Sequence, residues 1–297
     1  MKIVRPAAIT DSVLVSSNVP ETDHAAYNAA TTYALGDKVI VAAEHRIYES
    51  LQSANTGNTP STSPTWWLDL GATNRWRMFD SRINAVTSQT GSIEVSLQVA
   101  DRINALALLN LSATSVQVEM TDAVDGLVYD RTFSTISDSG ITDWYAWFFE
   151  PIAPITELVV TDLPNYYGAT ITVTITAASG FASIGELIVG SYRELGDTQY
   201  GVQLGIQDYS IKSIDAWGEY SIVERAYRKT ASFEIWLPNG GIGEAQRLLA
   251  EYRATPVLYI GSDEYNSTAI LGFYKDFTIN ITYPTVSVFS LTVEGLV

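Results

Sequence analysis

Apolar and polar residues alternate one for one along much of the chain. The segments Ile93-Glu-Val-Ser-Leu-Gln-Val, Val116-Gln-Val-Glu-Met, Thr170-Ile-Thr-Val-Thr-Ile-Thr, Phe233-Glu-Ile-Trp-Leu and Val286-Ser-Val-Phe-Ser-Leu-Thr-Val all keep a period of two. That period sends successive side chains to opposite faces of an extended backbone, so each segment is predicted to be a half-buried antiparallel strand. Helical periodicity is rare. The one helix predicted runs from Gly243 to Ala254, where Leu248, Leu249 and Tyr252 form an apolar stripe and Thr255-Pro256 stops the pattern. The expected fold class is all-β and multidomain, with one conspicuous helix.

Breaks in composition divide the chain into four expected parts. Residues 1–23 read as an extended N-terminal segment that ends in a polar run. Residues 24–72 are aromatic and rich in turn residues, as in a small β module. Residues 73–195 alternate strands with turn signals in the manner of a β-sandwich, and residues 196–297 form a β-rich unit that holds the helix.

Composition then removes several functions. The longest apolar runs, such as Ala105 to Leu109, fall far short of the ~20 residues that a membrane-spanning helix needs. Arg5, Pro6 and Asp11 interrupt the N-terminal stretch, so no secretory signal is expected and synthesis is assigned to the host cytoplasm. The 17 basic and 33 acidic residues give a net charge of −16, which repels phosphate backbones and anionic lipid. Neither nucleic acid nor a membrane is an expected partner. The chain has no cysteine, which excludes disulfides, thiolate metal sites and a cysteine nucleophile.

Catalytic patterns are missing as well. The two histidines, His24 and His45, are too few for the usual zinc sites, and no nucleophile elbow, P-loop or dinucleotide fingerprint occurs. Asp122 and Asp125 lack the ligand spacing of a calcium loop and read as a turn. No enzyme activity, cofactor or metal is expected.

The candidate chemistry is aromatic. Tyr27, Tyr33, Tyr48, Trp66 and Trp67 crowd into one short module, with Gly36-Asp37 as a turn between two strands. So small a module has little core to bury, and flat aromatic faces left open suit the apolar face of a sugar ring. Because neighbours on a strand face opposite ways, at most one of Trp66 and Trp67 is expected in the module's core. The order Tyr27-x5-Tyr33-x2-Gly36-Asp37-x-Val39, then Tyr48, Asn55-Thr-Gly-Asn-x-Pro60 and Trp66, resembles the small chitin-binding type of carbohydrate-binding module. It departs from that family at Tyr27, where tryptophan is usual. The resemblance covers roughly residues 25–71 and implies a glycan platform made of Tyr33, Tyr48, Trp66 and Trp67.

Two further resemblances follow. Asn74-Arg-Trp-Arg-Met-Phe-Asp and Ile184-Gly-Glu-Leu-Ile-Val-Gly bracket a segment that resembles galactose-binding-like jelly rolls and, closely, a segment of phage tail proteins. Within it, Asp143-Trp-Tyr-Ala-Trp-Phe-Phe-Glu supplies Trp144 and Trp147 as secondary glycan candidates, although a core strand is the expected reading of that stretch. The C-terminal order of strands, helix, hairpin and strand is similar to attachment domains of tail and baseplate proteins. There Glu224, Arg225, Arg228 and Lys229 form a dense charged cluster, read either as a solvated strand face or as a subunit interface.

Together the resemblances imply a structural component of a phage tail tip or baseplate, located in the virion tail, that displays carbohydrate-binding-like modules for attachment to a host. Its implied partners are other tail proteins, a cell-surface glycan and further copies of itself in a ring of three or six. A purely architectural tail protein and a secreted glycan-binding adhesin are the alternatives.

Overall fold

The computed structural model describes residues 1–137, 143–149, 153–214 and 217–297. Two-residue ladders apart, its strands are β1 (Lys2–Pro6), β2 (Leu14–Ser17), β3 (Lys38–Val41), β4 (Arg46–Ser50), β5 (Trp67–Ala72), β6 (Thr87–Gln98), β7 (Ala105–Leu109), β8 (Ser115–Asp122), β9 (Gly126–Ser134) and β10 (Glu157–Val160). They continue as β11 (Thr170–Ile184), β12 (Glu186–Glu194), β13 (Gln203–Asp208), β14 (Ile211–Ile214), β15 (Tyr220–Val223), β16 (Tyr227–Pro238), β17 (Val257–Ile260), β18 (Ala269–Asn280) and β19 (Val286–Gly295). The helices are α1 (Trp144–Phe149) and α2 (Ile242–Glu251). The fold is all-β, and all five alternating segments lie in strands: β6, β8, β11, β16 and β19.

The central sandwich has a five-stranded antiparallel sheet in the order β9-β8-β11-β6-β2 as one layer. Its inward residues are the apolar half of the alternation: Ile93, Val95 and Leu97 on β6, Val116, Val118 and Met120 on β8, Ile171, Val173 and Ile175 on β11. They pack against Leu106 and Leu108 of β7 and Leu187 and Val189 of β12 in the facing layer. The threonines between them on β11 look outward, half-buried.

β7 does not alternate because it is covered on both sides. Leu106 and Leu108 fill the sandwich, while Ala105, Ala107 and Leu109 join a second cluster with Val4, Ile188, Leu258 and Leu271. This second cluster belongs to a ten-stranded antiparallel sheet in the order β10-β7-β12-β1-β17-β18-β19-β16, which Asp197–Thr198 extends at the β16 side and to which β13 adds by pairing β16.

The N-terminal segment sits at the middle of that sheet rather than at its margin. β1 pairs β12 along Lys2–Pro6 and pairs β17 along Lys2–Val4, so the first strand joins the sandwich to the C-terminal unit. Ile3 and Val4 are both fully buried on opposite faces, Ile3 in the core around the helix and Val4 in the cluster behind β7. Gly190, opposite Pro6, allows the close approach: a Cβ there would stand 2.4 Å from the Arg5 carbonyl oxygen. The compositional borders at 23 and 195 are therefore crossed by one continuous sheet.

In the C-terminal unit α2 lays Ala245 and Leu249 on Phe233, Ile235, Phe289, Leu291 and Tyr259, with Tyr252 closing its end. The Tyr252 N–H bonds the Leu248 carbonyl and closes the helix before Thr255-Pro256 is reached. The helix begins one residue earlier and finishes three residues earlier than the sequence suggests. The small module is a separate three-stranded sheet, β3-β4-β5, inserted between the N-terminal segment and the sandwich.

Candidate functional site

The aromatic module is built around its own rings. Tyr33 and Trp67 meet edge to face at 5.1 Å, and Tyr27 stacks on Tyr33 at 5.9 Å while meeting Trp67 edge-on at 5.9 Å. The polar tips of Tyr33, Tyr48 and Trp67 are also used, whereas the buried Tyr27 hydroxyl has no hydrogen-bond partner. Trp67 Nε1 donates to the Asn58 carbonyl at 2.9 Å, the Tyr33 hydroxyl donates to the Asn28 carbonyl at 3.2 Å, and the Tyr48 hydroxyl donates to Glu44 at 2.7 Å. Burial, with the Glu44 carboxylate next to it, pushes the Tyr48 hydroxyl up to about 12. Buried Asn55 ties these strands together by bonding Ser50 Oγ and by exchanging backbone bonds with Tyr33. Gly36 has φ +86° and Asp37 Oδ2 accepts the Ala34 N–H at 2.7 Å, so this pair shapes a turn, but one that leads into β3 rather than joining two strands.

This geometry separates the four expected platform residues. Tyr33, Tyr48 and Trp67 lie in the module's core, Trp67 being only 2% exposed, and a ring enclosed on both faces has none to offer a sugar. Trp66 is half-buried at the edge of that core, beside exposed Leu51 and Leu68. Of the four rings, Trp66 alone keeps accessible surface for a ligand. The adjacent tryptophans do divide, with one in the core and one at its edge.

The secondary candidates stand elsewhere. Trp144 is 81% exposed on the short α1, and Tyr145, Phe148 and Phe149 are also exposed, with Tyr145 and Phe149 rings 4.7 Å apart. The expected core strand is therefore replaced by a short helix on which Trp144, Tyr145, Phe148 and Phe149 are exposed. The side chain of Trp147 lies outside the described part. Asp122 forms a turn, its Oδ1 accepting the N–H groups of Val124 and Asp125, which hold its carboxyl below the usual range.

The charged cluster splits in two. Glu224 and Arg225 are exposed between β15 and β16. Arg228 bonds Gln207 and pairs with Glu294 at 2.9 Å, and Lys229 pairs with Glu157 of β10. Burial lowers the Lys229 ammonium from its ordinary range. Half of the expected interface is thus engaged within the chain.

What the sequence reading passed over is the arm between β13 and β16. β14 and β15 pair as a hairpin in which every strand residue is exposed. Cross-strand pairs put Ile211 and Val223 on one face, and Ile214, Tyr220 and Ile222 on the other. β13 adds Leu204 and Ile206, the latter 67% exposed. The signal was legible: Ile211-Lys-Ser-Ile and Tyr220-Ser-Ile-Val flank Gly218, the signature of a hairpin.

Among the described residues no group of acidic or histidine side chains is arranged to hold a metal ion, and no helix is long and apolar enough to cross a membrane. No protein-family model and no curated protein matches the chain.

Proposed function

We propose that this chain is a structural component of a phage tail tip or baseplate, assembled as a ring of identical copies with neighbouring tail proteins and carrying the small module as an attachment domain. The observation that carries the reading is the arm. A lone two-stranded hairpin is marginal in water, and this one has isoleucine, valine and tyrosine open on both faces. Such an element is completed by covering both faces, which an assembly does and a monomer does not. Exposed Glu224 and Arg225 lie at the same end and suit the polar rim of such a contact.

Host attachment rests on Trp66, with α1 as a second aromatic surface. One ring with a few polar contacts binds a sugar weakly, and a ring of copies multiplies that by avidity of ~10²–10⁴. The burial of Tyr33, Tyr48 and Trp67 favours a second reading, in which the module is a packing domain without a glycan.

Immunogold labelling of purified phage particles with antibody against this chain tests the virion assignment. Label at the tail tip is the expected result, and particles free of label and of the chain's peptides would refute it. Pull-down with host envelopes, chitin and a glycan panel separates the two readings: binding that Trp66→Ala abolishes supports attachment, and no binding by the oligomeric chain leaves the packing domain.

A further inference from the structure

We propose that the cleft beside Glu186 is a binding site for an organic cation, a primary ammonium group on a short apolar stem, with the Glu186 carboxylate as its counter-ion. Four stretches of chain meet there: the exit from β1, the turn that follows the small module, the start of β12, and Thr255-Pro256 beyond α2. The cleft has a volume of about 210 Å³, against the about 10–15 Å³ that one water requires. Pro6, Ala7, Ile9, Phe79, Leu187 and Pro256 make its walls apolar. Among the described residues, Glu186 is the one ionisable side chain in its lining.

The carboxylate has no cation of its own. Glu186 is only 4% exposed. Its Oε2 accepts the Ser81 N–H at 3.0 Å, and among the described residues no donor reaches Oε1. A buried carboxylate ordinarily has a cation or several donors around it. The charge that acts on Glu186 is instead a second carboxylate, Asp80, itself balanced in part by Arg82, Arg77 and Arg46. Glutamine would fill the same place and accept the same N–H without a charge to desolvate, so packing alone does not call for a glutamate.

The free acceptor and the walls select the ligand. Oε1 alone suits the point charge of an ammonium, whereas the planar fork of a guanidinium bonds both oxygens of a carboxylate in parallel. The half-buried Phe79 ring in the wall adds attraction for a cation. The apolar walls take up the methylenes of the stem. A calcium or magnesium ion needs more oxygen ligands than one carboxylate, and among the described residues no three acidic or histidine side chains gather to supply them. Burial keeps a proton on Glu186, so an arriving ammonium takes the place of that proton and releases it to solvent. A free alkyl amine and a lysine of a neighbouring chain both carry this chemistry. The site requires nothing of the tail assignment.

The test is a titration of n-butylammonium chloride into the full, isotope-labelled chain at constant ionic strength, read by the amide shifts of Ile9, Ser81 and Leu187. At about pH 8.5 the probe is still a cation, as a lysine is. Saturable shifts in the millimolar range are expected for the wild-type chain. Glu186→Gln is expected to weaken binding about tenfold or more, and its amide spectrum away from the cleft shows that it is folded. n-Butanol, the same stem without the charge, is expected to bind about tenfold more weakly than n-butylammonium. A parallel titration with Nα-acetyl-lysine N-methylamide names the source: tighter binding than n-butylammonium assigns the site to a neighbouring chain's lysine, and weaker binding assigns it to a free amine. The proposal is overturned if n-butylammonium gives no saturable shift at these amides, if n-butanol binds as tightly, or if folded Glu186→Gln binds n-butylammonium undiminished.

Discussion

Lys229 on β16 is ion-paired with Glu157 on β10, although these strands stand near opposite ends of the ten-stranded sheet. The pair shows that the sheet curls until its two ends meet. The residues between them, Leu109, Ile270, Leu271 and Leu296, line the resulting cleft. Glu157 is nearly buried and Lys229 is partly so.

Breaking that pair from one side leaves a desolvated carboxylate. Lys229→Met is expected to lower stability by about 2 kcal/mol, less than a fully buried pair would cost because the ammonium keeps solvent contact. The double variant Glu157→Gln/Lys229→Met is expected to recover most of the loss. Denaturant unfolding of the three proteins checks this, and a double variant no better than the single one would contradict the ion pair as the cause.

The place of β1 makes a second prediction. Ile3 and Val4 enter two different cores, so Ile3→Ala is expected to cost about 2–4 kcal/mol. The sandwich and the C-terminal unit are expected to lose hydrogen-exchange protection together. Separate unfolding of residues 73–195 and 196–297 would show that the strand does not couple them.

Within the small module the two tryptophans are expected to behave in opposite ways. Trp67→Ala removes a buried ring and a hydrogen bond, at a cost of about 3–5 kcal/mol to the module. Trp66→Ala is expected to cost under about 1 kcal/mol. Exchange protection across residues 25–71 measures both.

Much of this was visible beforehand, for a physical reason. Period-two alternation reports which face of a strand meets a core, and it marked β6, β8, β11, β16 and β19 correctly; the stop at Thr255-Pro256 placed the end of α2 three residues too late. Alternation says nothing of which strands are neighbours. The central seat of β1 depends on pairing with residues nearly 190 and 260 positions away, and no local pattern encodes it. Aromatic side chains misled for a related reason: Trp67 and Trp144 are chemically alike in sequence, yet one is enclosed by Tyr27 and Tyr33 while the other is exposed. Lys229 looked like surface charge because its partner is 72 residues upstream.

Stability should also depend on pH through Glu186. Burial, followed by the charge of Asp80, pushes its carboxyl up to about 9, against an ordinary 4.5 in an unfolded chain. Between these values the folded state keeps a proton that the unfolded state has released, so this contribution is full below about pH 4.5 and is lost as pH rises toward 9. Glu186→Gln removes the penalty and is expected to stabilise the protein by on the order of 2–3 kcal/mol near pH 7, with no gain near pH 4. Melting curves of both proteins across that range give the answer, and an equal difference at both pH values would contradict it.

The central claim is that the exposed arm completes itself in an assembly. Sedimentation velocity on the full chain, across a concentration series and beside the double variant Ile214→Lys/Ile222→Lys, tests it most directly. Both substituted side chains are already open to solvent, so the variant's melting temperature should match wild type. A closed oligomer of defined mass is expected for the wild-type chain, and a shift to monomer for the variant. A wild-type chain that stays monomeric at every concentration, or a variant that assembles unchanged, would contradict it.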